Sequence, residues 1–332
     1  MKDDPIVQNH PADMLPADSY RFVNREVALC SNSAQILGHF RFLYKRFFLG
    51  NGAVTASDAG EVKAQKYMMH IVDNLHSSNE FIIRDNFGSY QLSETEGSCR
   101  YTYEDALIPS RTFEGFCDPL TLMSLALLRA LSRLLEPCHL IHAGAVSWNN
   151  CGIIFPAPAD RGKTTLVLKL LQKGFRFLSD EIACINPETF RLEPFPRAVN
   201  VRRESRRLLQ LEYGPSAVLQ QAPDLTHTVD VEDIAPGRLG QSSEPQYLIF
   251  LKGIGEKPGL ERISPSHALF DVMQFVLTTA GEPSTLLLKL APVIDRLKCF
   301  NLVTGNIDAT AGLITDLVSA ASSKERSPEH GP

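Results

Sequence analysis

The stretch Phe155-Pro-Ala-Pro-Ala-Asp-Arg-Gly-Lys-Thr-Thr165 constrains this chain more than any other. Ala157 to Thr164 reads A-x-x-x-x-G-K-T, the pattern of a phosphate-binding loop with Ala in place of the first Gly. The apolar run Gly152-Ile-Ile-Phe155 before it predicts a strand. Thr164 to Lys173 lacks Gly and Pro and stops at Gly174, which predicts a helix. A strand that turns into a helix this way aims backbone N–H groups and a helix N-terminus at an anion. In such a loop Lys163 puts an ammonium on the outer phosphates and Thr164 offers a hydroxyl to Mg²⁺. Ala157, Pro158, Ala159, Asp160, Arg161, Gly162, Lys163, Thr164 and Thr165 are therefore the expected nucleotide-binding residues. Asp160 and Arg161 stand where Gly and Ser are commoner. Asp tolerates a left-handed backbone, but its charge should repel phosphate unless Arg161 or Mg²⁺ offsets it.

Three neighbouring segments add candidate chemistry. Phe175 to Ile185 begins as an apolar run and carries the adjacent acids Asp180 and Glu181. Phosphoryl transfer to a hydroxyl needs a carboxylate beside the metal and a base near the acceptor. Adjacent residues on a strand point to opposite faces, so the two acids should not share one role. Asp180 is expected as base or metal-linked acid, with Glu181 beside Thr164 and Asp180 in the metal set. Upstream, His139 to Trp148, Asn149-Asn150 and Cys151 to Phe155 predict a hairpin, which places His142 next to the loop. Downstream, Arg197, Arg202 and Arg203 follow a Pro-constrained turn, and arginine forks suit phosphate oxygens.

In order and spacing, four motifs resemble the HPr kinase-like family, in particular HPr kinase-related kinases. They are His142-Ala-Gly-Ala-Val146, Ala157 to Thr165, Gly174-Phe-Arg-Phe-Leu-Ser-Asp-Glu181 and Pro194-Phe-Pro-Arg197. The match covers about residues 139–205. It implies an α/β fold with a P-loop domain of the HPr kinase and phosphoenolpyruvate carboxykinase type, a mixed sheet with flanking helices and a smaller α+β N-terminal region. It further implies ATP and Mg²⁺ as ligands, phosphoryl transfer to a hydroxyl, typically a serine of a protein or peptide, and room for a homo-oligomer. Lys163 and Thr164 match the phosphate and metal positions, Asp180 the catalytic acid, His142 the histidine before the loop, and Arg202 a nearby basic position. Glu181 stands where HPr kinases carry a second Asp, and Thr165 where they carry Glu. No Arg-Gly-Leu-Gly or Arg-Gly-Ile-Gly segment follows the acidic pair, so the resemblance leaves HPr as substrate and the reverse phosphorylase activity open. Two other readings remain open: a nucleotide-binding regulatory or assembly protein without turnover, and a small-molecule kinase.

With 44% apolar and 21% charged residues, the 332-residue chain reads as globular. A formal net charge of −5 gives no electrostatic reason to expect nucleic acid or an anionic membrane as partner. The seven cysteines show no Cys-x-x-Cys spacing, so free thiols and a cytoplasmic location are expected. Leu120 to Leu135, broken by Arg129 and Arg133, is too short for a membrane span and reads as a core helix. Residues 1–18 and 322–332 read as disordered, 19–118 as the N-terminal region with a role in substrate recognition, and 119–321 as the kinase-like domain. Tyr20 to Leu29 predicts a strand and Ile36 to Leu49 an amphipathic helix with a core-facing aromatic stripe. Phe81–Arg84, Tyr90–Leu92 and Cys99–Tyr103 predict antiparallel strands turning at Asp85-Asn86 and Glu96-Gly97. Past residue 245 the pattern predicts strand 246–252, helices 265–279 and 284–297, strand 299–304 and helix 307–320.

Overall fold

The computed structural model describes residues 15–54, 67–74, 80–85, 88–95, 98–105, 111–115, 119–158, 160–212, 218–219, 226–277 and 283–325. The chain divides into two compact units, Met1–Leu131 and Ser132–Pro332. The division falls inside a helix, Pro119–Leu134, later than the boundary expected at residue 118.

The first unit carries one sheet of eight strands, β1 (Leu15–Phe22), β2 (Arg25–Ser31), β3 (Phe48–Val54), β4 (Tyr67–Asn74), β5 (Glu80–Asp85), β6 (Gly88–Thr95), β7 (Ser98–Asp105) and β8 (Arg111–Gly115). Their order is β3-β1-β2-β4-β5-β6-β7-β8, and the one parallel pairing is β2 with β4. Helix α1 (Ala34–Leu43) starts on Ser33, whose side chain accepts from Ile36 N. The disorder expected through residue 18 is corrected for residues 15–18, which lie in β1, and residues 1–14 are outside the described residues. Buried Asp18 explains the tether: its two oxygens take Arg41 Nε at 2.6 Å and Nη2 at 2.7 Å, a bidentate fork. The single strand predicted over Tyr20–Leu29 is instead a β1–β2 hairpin turning at Val23-Asn24, with Val23 at φ 54°. The helix predicted to Leu49 stops at Leu43, because Phe47 folds back onto Phe22 (4.6 Å between rings) and Phe48 starts β3. The predicted aromatic stripe does face the core, where Phe40, Tyr44 and Phe47 are buried. Of the turns expected at Asp85-Asn86 and Glu96-Gly97, Asp85 ends β5, and Asn86, Glu96 and Gly97 lie outside the described residues. Helix α2 (Pro119–Leu134) matches the predicted core helix closely.

The second unit is a mixed sheet between helices. Its strands are β9 (His139–Trp148), β10 (Cys151–Pro156), β11 (Arg176–Ser179), β12 (Ile182–Asn186), β13 (Arg191–Glu193), β14 (Val199–Val201), β15 (Val218–Leu219), β16 (His227–Val229), β17 (Glu244–Ile254), β18 (Gly259–Arg262) and β19 (Lys298–Thr304). The main sheet runs β13-β12-β9-β10-β17-β19-β18, with β11 also on β9, while β14, β16 and β15 form a small sheet. β10 pairs parallel with β17 and β17 with β19, and the remaining pairs are antiparallel. The helices are α3 (Lys163–Gln172), α4 (Arg203–Leu209), α5 (Val231–Ile234), α6 (Pro265–Val272), α7 (Pro283–Ile294) and α8 (Ile307–Glu325). Alternation along the central strands sorts two cores. Ile153, Phe155, Ile249 and Leu251 pack with Val167 and Leu170 of α3 and Ile314 of α8. Ile154, Leu248 and Phe250 pack with Ala268 and Val272 of α6 and Val293 of α7. Helix α8 runs to Glu325, so residues 322–325 are helical rather than part of a disordered tail. Helix α6 ends at Val272 and a single 3₁₀ turn, Met273–Phe275, follows, so it is shorter than predicted. Among the described residues, no helix is long and apolar enough to cross a membrane.

Candidate functional site

Asn149 and Asn150, at φ 47° and 67°, close the β9–β10 hairpin as the sequence predicts. Positive φ at both central residues matches the twist of the flanking strands. β10 ends at Pro156, and the chain then passes through Asp160 (φ 66°) and Gly162 (φ 81°) before α3 begins at Lys163. Gly162 is the N-cap and supplies no side-chain cap to the first turn of α3. Ala157 is buried beneath the loop, Arg161 is exposed, and Ala159 lies outside the described residues.

The loop opens on a cleft of about 630 Å³. Pro158, Asp160, Gly162, Lys163, Thr164 and Thr165 line it, together with His142, Asp180, Glu181, Arg197 and Arg202. The structure thus gathers most of the expected residues on one side of the sheet. Ala157, Arg161 and Arg203 do not line it. Asn200, Glu204, Ser205 and Ile254 do; the first three flank the expected arginines without having been singled out, and Ile254 lies far along the chain from any of them. Ser205, on α4, is tied to the loop helix through Thr165 Oγ1 at 2.7 Å.

The expectation that Asp180 and Glu181 face opposite ways is corrected. They occupy a bend between β11 and β12, not a continuous strand. Ser179 Oγ makes that bend by accepting from Glu181 N at 3.2 Å and Ile182 N at 2.9 Å, so both acids reach the cleft. They keep different company. Asp180 Oδ2 accepts from Thr164 Oγ1 at 2.6 Å, and its Oδ1 is buried without a hydrogen-bond partner. Glu181 Oε1 lies 3.3 Å from His142 Nδ1, and His142 Nε2 lies 2.8 Å from Lys163 Nζ. The ammonium can only donate, so Nε2 accepts and the ring proton sits on Nδ1, facing Glu181.

Charge follows burial and partners. Burial lowers the Lys163 ammonium, against the pull of Asp180 and Glu181. Burial pushes the Asp180 carboxyl up to about 6, although Lys163 and the Thr164 hydroxyl oppose it. Burial would raise Glu181 too, but His142, Arg197 and Lys163 outweigh it and hold that carboxyl at about 2. Asp160 is paired with Arg202, a partner not among the two considered from the sequence, Arg161 and Mg²⁺. Both partners are well exposed, so the pair contributes orientation more than stability.

Thr164 Oγ1 and the unpartnered Asp180 Oδ1 are hard oxygen donors side by side, which fits Mg²⁺ held by few protein ligands and completed by phosphate and water. Glu181, the third residue expected in the metal set, is engaged by His142. Among the described residues, no three His, Cys, Asp or Glu side chains form an all-protein metal cage.

Gly144 lets α3 lie this close to β9. A Cβ there would sit 2.7 Å from Val167 Cγ2 and 3.1 Å from Lys163 Cγ. Gly144→Ala is expected to destabilise the protein by about 1–3 kcal/mol through overpacking. Adding Val167→Ala should recover part of that loss in urea-denaturation midpoints. Simple additivity of the two costs would rule out the contact as the cause.

No family model and no curated protein matches this chain. Among solved structures it is similar to the HPr(Ser) kinase/phosphatase from Coxiella burnetii, at 13% identity and a TM-score of 0.29. That alignment covers 57% of this chain and 99% of the other. A likeness this slight carries no argument, and function rests on the site.

Proposed function

We propose that the cleft is a phosphate-loop site for MgATP and that the protein is an ATP-dependent kinase of the HPr kinase-related kind, which phosphorylates a serine hydroxyl of a protein or peptide. One observation carries the proposal: Lys163, Thr164 and Asp180 meet at a loop that turns through two left-handed residues into α3. Lys163 and the first amides of α3 would hold phosphate oxygens, and Thr164 with Asp180 would hold Mg²⁺. Bound Mg²⁺ supplies charge neutralisation on the phosphates. Asp180, held near neutrality by burial, is poised to take a proton from an acceptor hydroxyl at physiological pH. His142 orients Lys163 from below, and Glu181 fixes the ring that does so. Arg197, buried at the cleft wall, places a further guanidinium near the reacting groups.

Incubation of the purified protein with radiolabelled MgATP and a panel of serine peptides tests the assignment. Label should appear on a peptide serine. Label on a sugar or other small alcohol alone would replace the peptide acceptor with a metabolite. ATP binding with no transfer to any acceptor would make the protein a nucleotide-dependent regulator instead.

A further inference from the structure

We propose that Ile254 is the platform for the nucleoside end of the phosphoryl donor, so that the cleft takes a nucleoside triphosphate in preference to an inorganic polyphosphate. This rests on the MgATP reading of the loop and adds the residue that holds the part of the donor the loop does not. Among the described residues Ile254 and Phe270 are the most exposed large apolar side chains, at 81% each. Ile254 differs in lining the cleft.

A shift in strand register aims it there. Along β17, Leu248 and Phe250 pack with α6 and α7, whereas Ile249 and Leu251 pack on the α3 side. Strict alternation would put Ile254 with Leu248 and Phe250. Instead Leu251 pairs with Leu302 of β19, Gly253 with Val303 and Ile254 with Thr304, which leaves Lys252 as an extra residue. Ile254 therefore shares the face of Leu302, which belongs to the α3 core. Bulges re-aim side chains in this way. Thr304 Oγ1 donates to Gly253 O at 3.0 Å, and Gly255 N donates to Thr304 O at 2.7 Å, so the strand end is held in place.

The position suits the far end of a nucleotide. β17 is parallel to β10, and Ile154 pairs with Leu248. β10 ends at Pro156 but β17 only at Ile254, so Ile254 stands beyond the end of β10, alongside the loop. His142 on β9 and Asp180 before β12 lie on one side of β10, and β17 lies on the other. Transfer needs the terminal phosphoryl group beside Asp180, and the loop amides hold the phosphate before it. The rest of the donor then leaves the loop on the β17 side. An inorganic chain brings only charged oxygens there, whereas a nucleobase brings a flat apolar face that removes Ile254 from water. The other apolar residues of the cleft are placed differently: Ala198 and Val199 are buried, and Pro158 belongs to the loop.

Calorimetric titration of MgATP and of magnesium tripolyphosphate into the full chain tests this. Wild type should bind MgATP more tightly than magnesium tripolyphosphate. Ile254→Ser should weaken MgATP about tenfold and leave tripolyphosphate within about twofold, whereas Ile254→Leu keeps the apolar area and should bind both as wild type does. The side chain is exposed, so neither substitution opens a cavity. Equal weakening of both ligands in Ile254→Ser, or weakening of neither, would overturn the assignment. A raised peptide KM in that variant with MgATP affinity unchanged would give the residue to the acceptor instead. Wild type that binds tripolyphosphate as tightly as MgATP would overturn the platform while sparing the loop. Wild type that binds neither would remove the MgATP reading itself, and the platform with it.

Discussion

Lys163→Ala is expected to weaken MgATP binding roughly 100-fold, as loss of a charged donor to phosphate predicts. Lys163 Nζ is the ammonium that His142 holds at 2.8 Å over the cleft, with Asp180 and Glu181 beside it. The other cations of the cleft are placed differently: Arg202 is paired with Asp160, and Arg197 is buried in the wall. Calorimetric titration of MgATP into wild type and variant, with thermal melts to establish folding, gives the answer. Lys163→Met keeps the side-chain volume against Gly144 and should lose affinity equally. Equal affinity in wild type and both variants would remove the loop from nucleotide binding altogether.

The second large effect is at Asp180. Asp180→Asn should lower phosphoryl transfer by roughly 10²–10⁴-fold while MgATP affinity changes only a few-fold, because proton acceptance is lost and the Thr164 contact can persist. Transfer at the wild-type rate would exclude Asp180 as base. The same variant has a stability signature. The folded-state value of about 6 lies above the ordinary 3.8, so the folded protein binds this proton more tightly than the unfolded chain. Stability from this group therefore falls as pH rises from about 4 to about 6 and stays lower above that, by at most about 3 kcal/mol. Asn never ionises. Asp180→Asn should thus gain stability over wild type at about pH 8 and lose the advantage at about pH 4, read as the difference in urea midpoints. Glu181 shifts the other way, adding stability that is lost on acidification, but it is present in both proteins.

Local chemistry made the centre of the site legible. The Asn149-Asn150 turn and the Gly174 stop are short-range signals, and both lie where expected. Pro158, Asp160, Gly162, Lys163, Thr164 and Thr165, named from the loop pattern, all line the cleft. What stayed hidden depends on distant partners. Nothing near Asp160 announces Arg202, and nothing near Thr165 announces Ser205. The Ser179 bend was hidden for a different reason: a serine inside an apolar run looks like ordinary strand until its hydroxyl bonds the backbone. In the N-terminal unit the turn at Val23 uses a β-branched residue at positive φ, the type least expected there. The aromatics of Ile36 to Phe48 were read correctly as core, but they serve a helix end and a strand start rather than one helix.

The connectivity of the main sheet sets an order in which the molecule can assemble. His142, the loop, Asp180 and Glu181 come from β9 through β12, a run of chain closed by a tight hairpin and by strands returning to β9. Those contacts are short in sequence and cost little loop-closure entropy. The parallel partner of β10 is β17, whose Glu244 meets Cys151 only after a long excursion through α3, the small sheet and α5. The groups that would grip the nucleotide therefore belong to the quickly formed half of the sheet. Docking of β17 is the slow, non-local step, and the phosphate-loop strand keeps an unsatisfied edge until it happens.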